Sequence, residues 1–434
     1  MSAAALSRSP HDIRSSVPWI TWCFHPYLSI LSLSTGSKPT SNASTDDSVL
    51  VELESLRAAL ALVLDYYPHL TGRLHFDSNS HTPEIVGLGT GAELLTAHCS
   101  LRLDDIKSKS GRILMTSLPG SGSSLLPAFD PTIEGVCRDP ILAMQHTCFA
   151  CGSVALGIRI HHIVCDACGF FQFVRDLAQL YRGLRSSRQN GDDAQKPTLT
   201  SPPEIRSYLR DPDTMASEER QAALEYTPSV FYLDERPVPA PKSQASPSTD
   251  QLAPPPVLGR VLRFSGQKLQ ELNARATDPS GHDWVSSNDA LVSYLYQLTY
   301  RARLQYLTSL GIPTSAAITQ LSTGVLSFIN MRGPTRLNFS PRYFPNLVYG
   351  SYMYLSHELL ADGPLWKVTK AVHNMIHAVT PEQMKQTVRW LAVQPDKSRI
   401  KMAFDINGSF TASQWSKFDI YVGVDFDVDR QTGR

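Results

Sequence analysis

HHIVCDACGF, residues 161–170, decides how the chain is read. Two histidines, His161 and His162, precede an aspartate, Asp166, which lies four places after the second. Upstream the residues alternate. Val154, Leu156, Ile158, Ile160 and His162 fall on one side, and Ala155, Gly157, Arg159 and His161 on the other. That is the period of a strand with one buried face. Downstream the period becomes three and four: Phe170, Phe173, Val174, Leu177, Tyr181 and Leu184 mark an amphipathic helix. Asp166 stands where that helix needs an N-cap. An imidazole is thus placed at the end of a buried strand, just before a helix. With a pKa near ~6.5 it takes a proton near neutral pH, so His162 is a candidate general base. The same residues also fit a core histidine beside an ordinary cap, and a short H-x-x-x-D pattern alone does not separate the two.

Toward the N-terminus, Leu53, Leu56, Leu60, Val63, Leu64 and Tyr67 mark a helix stopped by Pro68. Gly72 permits a turn, and Leu74 and Phe76 begin a strand. Helix, turn and strand account for this stretch, and no site is assigned to it. Residues 17–34 hold His25 and Pro26 within their apolar run and no clear small-residue cleavage site. They read as an N-terminal strand pair rather than a signal segment. No other stretch reaches the ~18 apolar residues of a membrane span. Residues 110–140 read as irregular.

Toward the C-terminus, proline, serine and charge dominate residues 186–258. This is a crossover linker with a short helix near 217–225. Beyond it the patterns predict a strand over 259–264 and a helix over 266–276. Ser286 and Asp289 form a capping box that opens a helix with Leu291, Tyr294, Leu295, Leu298 and Ala302 as its buried stripe. Strands over 324–333 and 347–356, helices over 363–378 and 382–392, and strands over 402–406 and 419–428 complete the chain. There is no internal repeat.

Forty basic and forty acidic residues leave the 434-residue chain without net charge, which argues against nucleic acid and against an anionic membrane as partner. Seven scattered cysteines fit a reducing, cytoplasmic setting better than a disulfide scaffold. Cys148 with Cys151 and Cys165 with Cys168 mimic a four-cysteine zinc site in spacing. An unbroken apolar strand between the pairs would hold them apart, so no metal ligands are assigned.

The landmarks also occur in a telling order: YPHLTGRL at 67–74, CGSVALGIRIHHIVCDACGF at 151–170, SSNDALVSYL at 286–295, INMRGPTRLNF at 329–339 with YFPN at 343–346, and VDFDVD at 424–429. In this order they resemble the BAHD-type acyl-CoA-dependent acyltransferases, particularly their fungal relatives, over most of the chain. The resemblance implies an α/β (α+β) fold of two chloramphenicol-acetyltransferase-like lobes, mixed sheets with flanking helices and a channel between them. Residues 1–185 would be the first lobe, 186–258 the linker and 259–434 the second lobe. It implies His162 as general base and Asp166 as an active-site residue held in a structural ion pair. Ser413 and Trp415 match a Thr-x-Trp that lines the acceptor pocket. Asp425, in a degraded DFGWG, would pair with Arg332. The co-substrate would be acyl-CoA, acetyl-CoA in the first instance, with no bound cofactor. The acceptor would be a small-molecule alcohol, or less readily an amine, and the protein a monomer.

Two departures stand out. Ala167 replaces the glycine after the motif aspartate, and Asp427, Val428 and Asp429 follow Phe426 where the family has Gly-Trp-Gly. A condensation-type enzyme using a carrier-bound acyl group, and a lapsed member that only binds a ligand, are the competing readings.

Overall fold

A computed structural model describes residues 27–34 (as backbone), 51–108, 113–189, 196–206, 208, 212–236, 259–281, 284–415, 417–418 and 422–426. In chain order the elements are β1 (Tyr27–Ser34), α1 (Leu53–Tyr66), β2 (Arg73–Phe76), β3 (Pro83–Val86), β4 (Glu93–Cys99), α2 (Ile133–Arg138), β5 (Leu142–Phe149), β6 (Val154–His161) and α3 (Ala167–Gln189). Then come α4 (Ser217–Glu225), β7 (Phe231–Leu233), α5 (Gly266–Ala276), α6 (Ser287–Ser309), α7 (Thr314–Thr319), β8 (Gly324–Asn330) and β9 (Val348–Tyr354). The last are α8 (His357–Ala361), α9 (Leu365–His377), α10 (Pro381–Val393), β10 (Ile400–Met402) and β11 (Phe410–Ala412).

The first sheet has the order β1-β6-β5-β4. β1 and β5 flank β6 antiparallel, and β4 runs parallel to β5. Alternation along β6 sorts its side chains into two cores. Val154, Leu156, Ile158 and Ile160 pack with Leu56, Leu60 and Val63 of α1 and Phe170, Phe173 and Leu177 of α3. Ala155 meets Leu103, Leu118 and Leu125 on the other side. Burying each large side chain contributes ~1.5–3 kcal/mol. The whole strand is buried, where its sequence suggests only one covered face. The second cover is built from 3-10 turns over Pro119–Leu125, within the stretch that reads as irregular.

The unbroken strand expected between the cysteine pairs doubles back instead. β5 and β6 form a hairpin whose turn uses Gly152 at φ 79°, a conformation glycine adopts without a Cβ penalty. Cys148 sits at the turn end, opposite Val154. Cys165 and Cys168 lie beyond the far end of β6, roughly 26 Å away at the rise of a strand. All four thiols are free.

The second sheet is also mixed, in the order β11-β8-β9, with β11 parallel and β9 antiparallel to β8. Tyr296 and Tyr300 of α6 pack with Val325, Val368 and Met375. Ile329 and Tyr349 pack with Met384, Trp390 and Leu391 of α10. The capping box at Ser286 and Asp289 forms as expected. The stripe behind it is rotated: Ala290, Ser293, Tyr296, Gln297 and Tyr300 are buried, whereas Leu298 is 46% exposed. Polar groups win that face because loop carbonyls need donors there. Tyr296 Oη donates to Thr323 O, and Gln297 Nε2 donates to Leu359 O at 3.2 Å and Gly363 O at 2.9 Å.

Three further expectations change. Residues 259–264 form no strand, and Val261 and Leu262 are 77% and 65% exposed; apolar character without a partner edge makes no ladder. Of the strand expected over 419–428, residues 422–426 are irregular and the rest lie outside the described residues. The linker is more than a spacer. It holds α4 where its pattern predicts a helix, β7 pairs with β10, and Glu204 bridges to the 342–344 backbone in both directions at 2.9 Å.

Candidate active site

His162 is the first residue after β6, half-buried. A strand that stops here leaves carbonyls with no ladder partner, and buried carbonyls need donors. Asn346, fully buried, supplies both. Its amide donates to His162 O at 3.0 Å and Ile163 O at 2.8 Å. The backbone beneath the candidate base is therefore pinned by a residue 184 positions away. His161 goes to the opposite face, as alternation requires. It is buried, and its Nδ1 accepts from Ile163 N at 3.1 Å. Burial first, then the neighbouring His162 and the Arg159 charge, push its pKa down to about 3, so it stays neutral.

Asp166 caps α3. Its Oδ1 accepts from Cys168 N at 3.0 Å and Gly169 N at 3.3 Å. Its Oδ2 accepts from Leu347 N at 2.8 Å. Arg332 completes the set with two parallel bonds, Nη1 to Oδ2 at 2.8 Å and Nη2 to Oδ1 at 3.0 Å. None of these five donors is His162, so the carboxylate orients no imidazole in the manner of a triad. Arg332 is itself saturated by the carbonyls of Tyr343 and Pro345 and by Asn330 Oδ1. The pair is buried on both sides, with 6% and 4% of the side chains exposed.

This geometry overturns the pairing of Arg332 with Asp425. Arg332 rides on the turn after β8, which folds over the first turn of α3. Asp425 lies near the other end of that helix, where Arg182 donates to its backbone carbonyl. Sixteen residues of α-helix separate the two places, roughly 24 Å. What the 422–426 segment delivers to the first lobe is a ring. Phe426 is buried against Tyr181 at 5.5 Å, and Arg175 Nε reaches Val422 O at 3.2 Å. Asp427 and Asp429 lie outside the described residues.

The missing glycine at Ala167 has a counterpart two residues on. A Cβ on Gly169 would stand 2.1 Å from Phe344 O and 2.9 Å from Cys165 Cβ, so the close approach between α3 and the 344–347 turn is made there. Asn330 Nδ2 donates to Cys168 Sγ at 3.2 Å. Burial, then the Asp166 charge, push the Cys168 thiol up to about 12. Ser413 and Trp415 are joined by an Nε1–Oγ bond of 2.9 Å. The Trp415 ring stands edge-on to Phe171 of α3 at 5.7 Å, near the motif but touching neither His162 nor Asp166 among the described contacts.

Sequence reasoning passed over a second bridge along α3. Tyr67 Oη donates to Asp176 Oδ2 at 2.6 Å, and Arg342 clasps the same carboxylate at 3.0 and 2.6 Å. Tyr67 and His69 both pack edge-on to Phe344 at 5.0 Å. Burial alone lowers His69 to about 4. YPHLTGRL thus does more than turn a corner: it meets the turn that holds Asp166. Asn346 ends YFPN, but only its fold position reveals what it holds.

The profile of the Transferase family matches residues 40–432. The chain belongs to this family, the BAHD acyl-CoA-dependent acyltransferases. This acyltransferase is 23% identical over 390 residues to shikimate O-hydroxycinnamoyltransferase from Nicotiana tabacum, covering 88% of this chain and 78% of that one. Over 133 residues it is 35% identical to taxadien-5-alpha-ol O-acetyltransferase from Taxus chinensis, covering 30% and 27% of the two chains. Among solved structures it is similar to F. graminearum TRI101 complexed with coenzyme A and deoxynivalenol, with TM-score 0.55, 18% identity and 92% and 84% coverage. Vinorine synthase gives TM-score 0.53, 13% identity and 94% and 80% coverage. The acyltransferase therefore has the two-lobed fold of mixed sheets and flanking helices that its motifs imply.

Proposed function

We propose that this acyltransferase moves an acyl group, acetyl in the first instance, from acyl-CoA to a hydroxyl of a secondary metabolite. His162 is the general base. The observation that carries this reading is the pinning of the His162 backbone by Asn346 while Asp166 is held by Arg332. The imidazole is left on a fixed backbone, with the carboxylate engaged elsewhere. His162 takes the proton of the acceptor O–H, and that oxygen forms a bond to the thioester carbonyl carbon. The tetrahedral intermediate collapses, the C–S bond breaks, and the CoA thiolate recovers the proton from His162.

Coenzyme A in the TRI101 complex and an O-acetyltransferase among the relatives support the donor and the acetyl group. Ser413 and Trp415 line the acceptor side in this reading. A single chain is the functional unit, acting in the cytoplasm. No helix among the described residues is long and apolar enough to cross a membrane. The lobes divide as 1–185 and 259–434, with 186–258 crossing between them.

Thiol release from a panel of acyl-CoAs, with hydroxylated acceptors added, tests the reading. His162→Ala is expected to lower turnover by ~10²–10⁴, the usual worth of a general base, with an unchanged denaturation curve. Near-normal turnover in that variant rules out the mechanism, and a folded wild-type chain that releases thiol from no acyl-CoA rules out the function.

A further inference from the structure

Away from His162, three metal-competent side chains converge between α6 and α9. His373 and His377 stand four residues apart on α9, so they share one face. Their rings lie 4.1 Å apart, tilted by 32°. Asp289, in the first turn of α6, places Oδ2 2.9 Å from His373 Nδ1. One ligand atom from each of the three lies within 4.8 Å of the other two, and among the described residues no further group of this kind occurs.

The set is graded from rigid to open. Asp289 is 5% exposed at the side chain and fixed by the capping box, its Oδ2 accepting from Ser286 N at 3.0 Å. His373 is 21% exposed and His377 faces solvent. An ion would enter past His377 and meet a carboxylate whose position is already set.

We propose that Asp289, His373 and His377 bind one zinc ion, or another transition-metal dication of similar softness, bracing α6 against α9. Two imidazoles and one carboxylate form a three-ligand set with a fourth position for water. Imidazole nitrogen selects zinc, copper, nickel or iron over calcium and magnesium, which prefer oxygen throughout. Two histidines at i and i+4 on one helix recur as a bidentate metal grip.

Two cations lie near His377, Arg336 and the exposed Lys417. Arg336 directs its guanidinium at Ile376 O in the last turn of α9 and at Val379 O just past it. The ion would sit outside the transfer chemistry proposed above, and the site does not depend on that reading.

The test uses the full chain, stripped with a chelator, given zinc and passed through gel filtration. One zinc per chain is expected. His377→Ala, a change at an exposed position, should reduce retained zinc to background and weaken binding by at least ~10–100-fold, the effect that loss of even an outer-shell partner has. Cobalt titration should produce the visible bands of a four-coordinate site without thiolate charge transfer. Trp284, whose ring is 6.2 Å from His373, supplies fluorescence quenching by copper as a local readout. Zinc retained equally by His377→Ala overturns the proposal, as does zinc that leaves with Cys148→Ser instead. A wild-type chain that holds no more metal than the variant also overturns it.

Discussion

Arg332 and Asp166 offer the sharpest test of how the two lobes are joined. Consider Arg332→Met, Asp166→Asn and the double variant. Arg332→Met removes both bonds to the carboxylate and leaves a negative charge buried at 4% side-chain exposure. The remaining donors, Cys168 N, Gly169 N and Leu347 N, hold Asp166 in place but do not neutralise it. Breaking one side of a buried pair costs ~3–5 kcal/mol. Asp166→Asn keeps the cap and strands Arg332, at a similar cost. The double variant leaves no uncompensated charge, so it should be no worse than either single. The interaction energy is then about 3 kcal/mol or more. Each loss falls within the ~5–15 kcal/mol margin of a folded domain, so urea denaturation followed by tryptophan fluorescence can read all four corners of the cycle. Asp425→Ala, by contrast, touches a half-buried residue at the far end of α3 and should cost no more than ~1 kcal/mol, with no coupling to Arg332. Losses for Asp166 and Arg332 that add to within ~0.5 kcal/mol would refute the pairing and restore Asp425 as the candidate partner.

Two further outcomes follow from the same region. Gly169→Ala drives a Cβ into the carbonyl of Phe344, so the 344–347 turn must shift. Overpacking of this kind costs ~1–3 kcal/mol, and turnover should fall alongside stability in a melt and a thiol-release assay. Acid should destabilise the first lobe through His69 and His161, whose folded values of about 4 and about 3 lie below the ordinary 6.5. The unfolded chain binds their protons first, so stability falls with each pH unit below 6.5 and levels off below the folded values. At pH 5 each contributes a loss of about 2 kcal/mol. His161→Gln measured across pH 5 to 8 should flatten that slope, and an unchanged slope would show that His161 is not the group being titrated.

The first sheet and α3 were legible because β6 carries a clean two-residue period and α3 a clean helical one, with Asp166 marking the switch. The end of the linker was less so: β7 is three residues long, and only its partner β10 makes it a strand. α6 misled because its buried face carries Tyr296 and Gln297, whose polar ends answer backbone carbonyls, and Tyr300, whose hydroxyl meets His357 Nδ1, partners that no local pattern announces. Arg332 could be placed in the site from its motif, but its partner could not. Asp166 and Asp425 are both plausible carboxylates in sequence, and only the path of the chain after β8 chooses between them. Asn346 and Gly169 act through a backbone contact made across the lobes, which leaves no periodicity to read.

Phe426 fills the core beside Tyr181, and its neighbour Asp425 accepts from Arg182, 243 residues earlier. The hydrophobic interior of the first half is thus closed by a ring that leaves the ribosome long after α3 has emerged. A growing chain can pair β5 with β6 early, since those contacts are near in sequence, and can dock α1 on α3 once α3 has emerged. It cannot finish that interior until residue 426 arrives. Closing so long a loop comes late and slowly in folding. Until then a gap beside Tyr181 stays open to chaperones and to other chains.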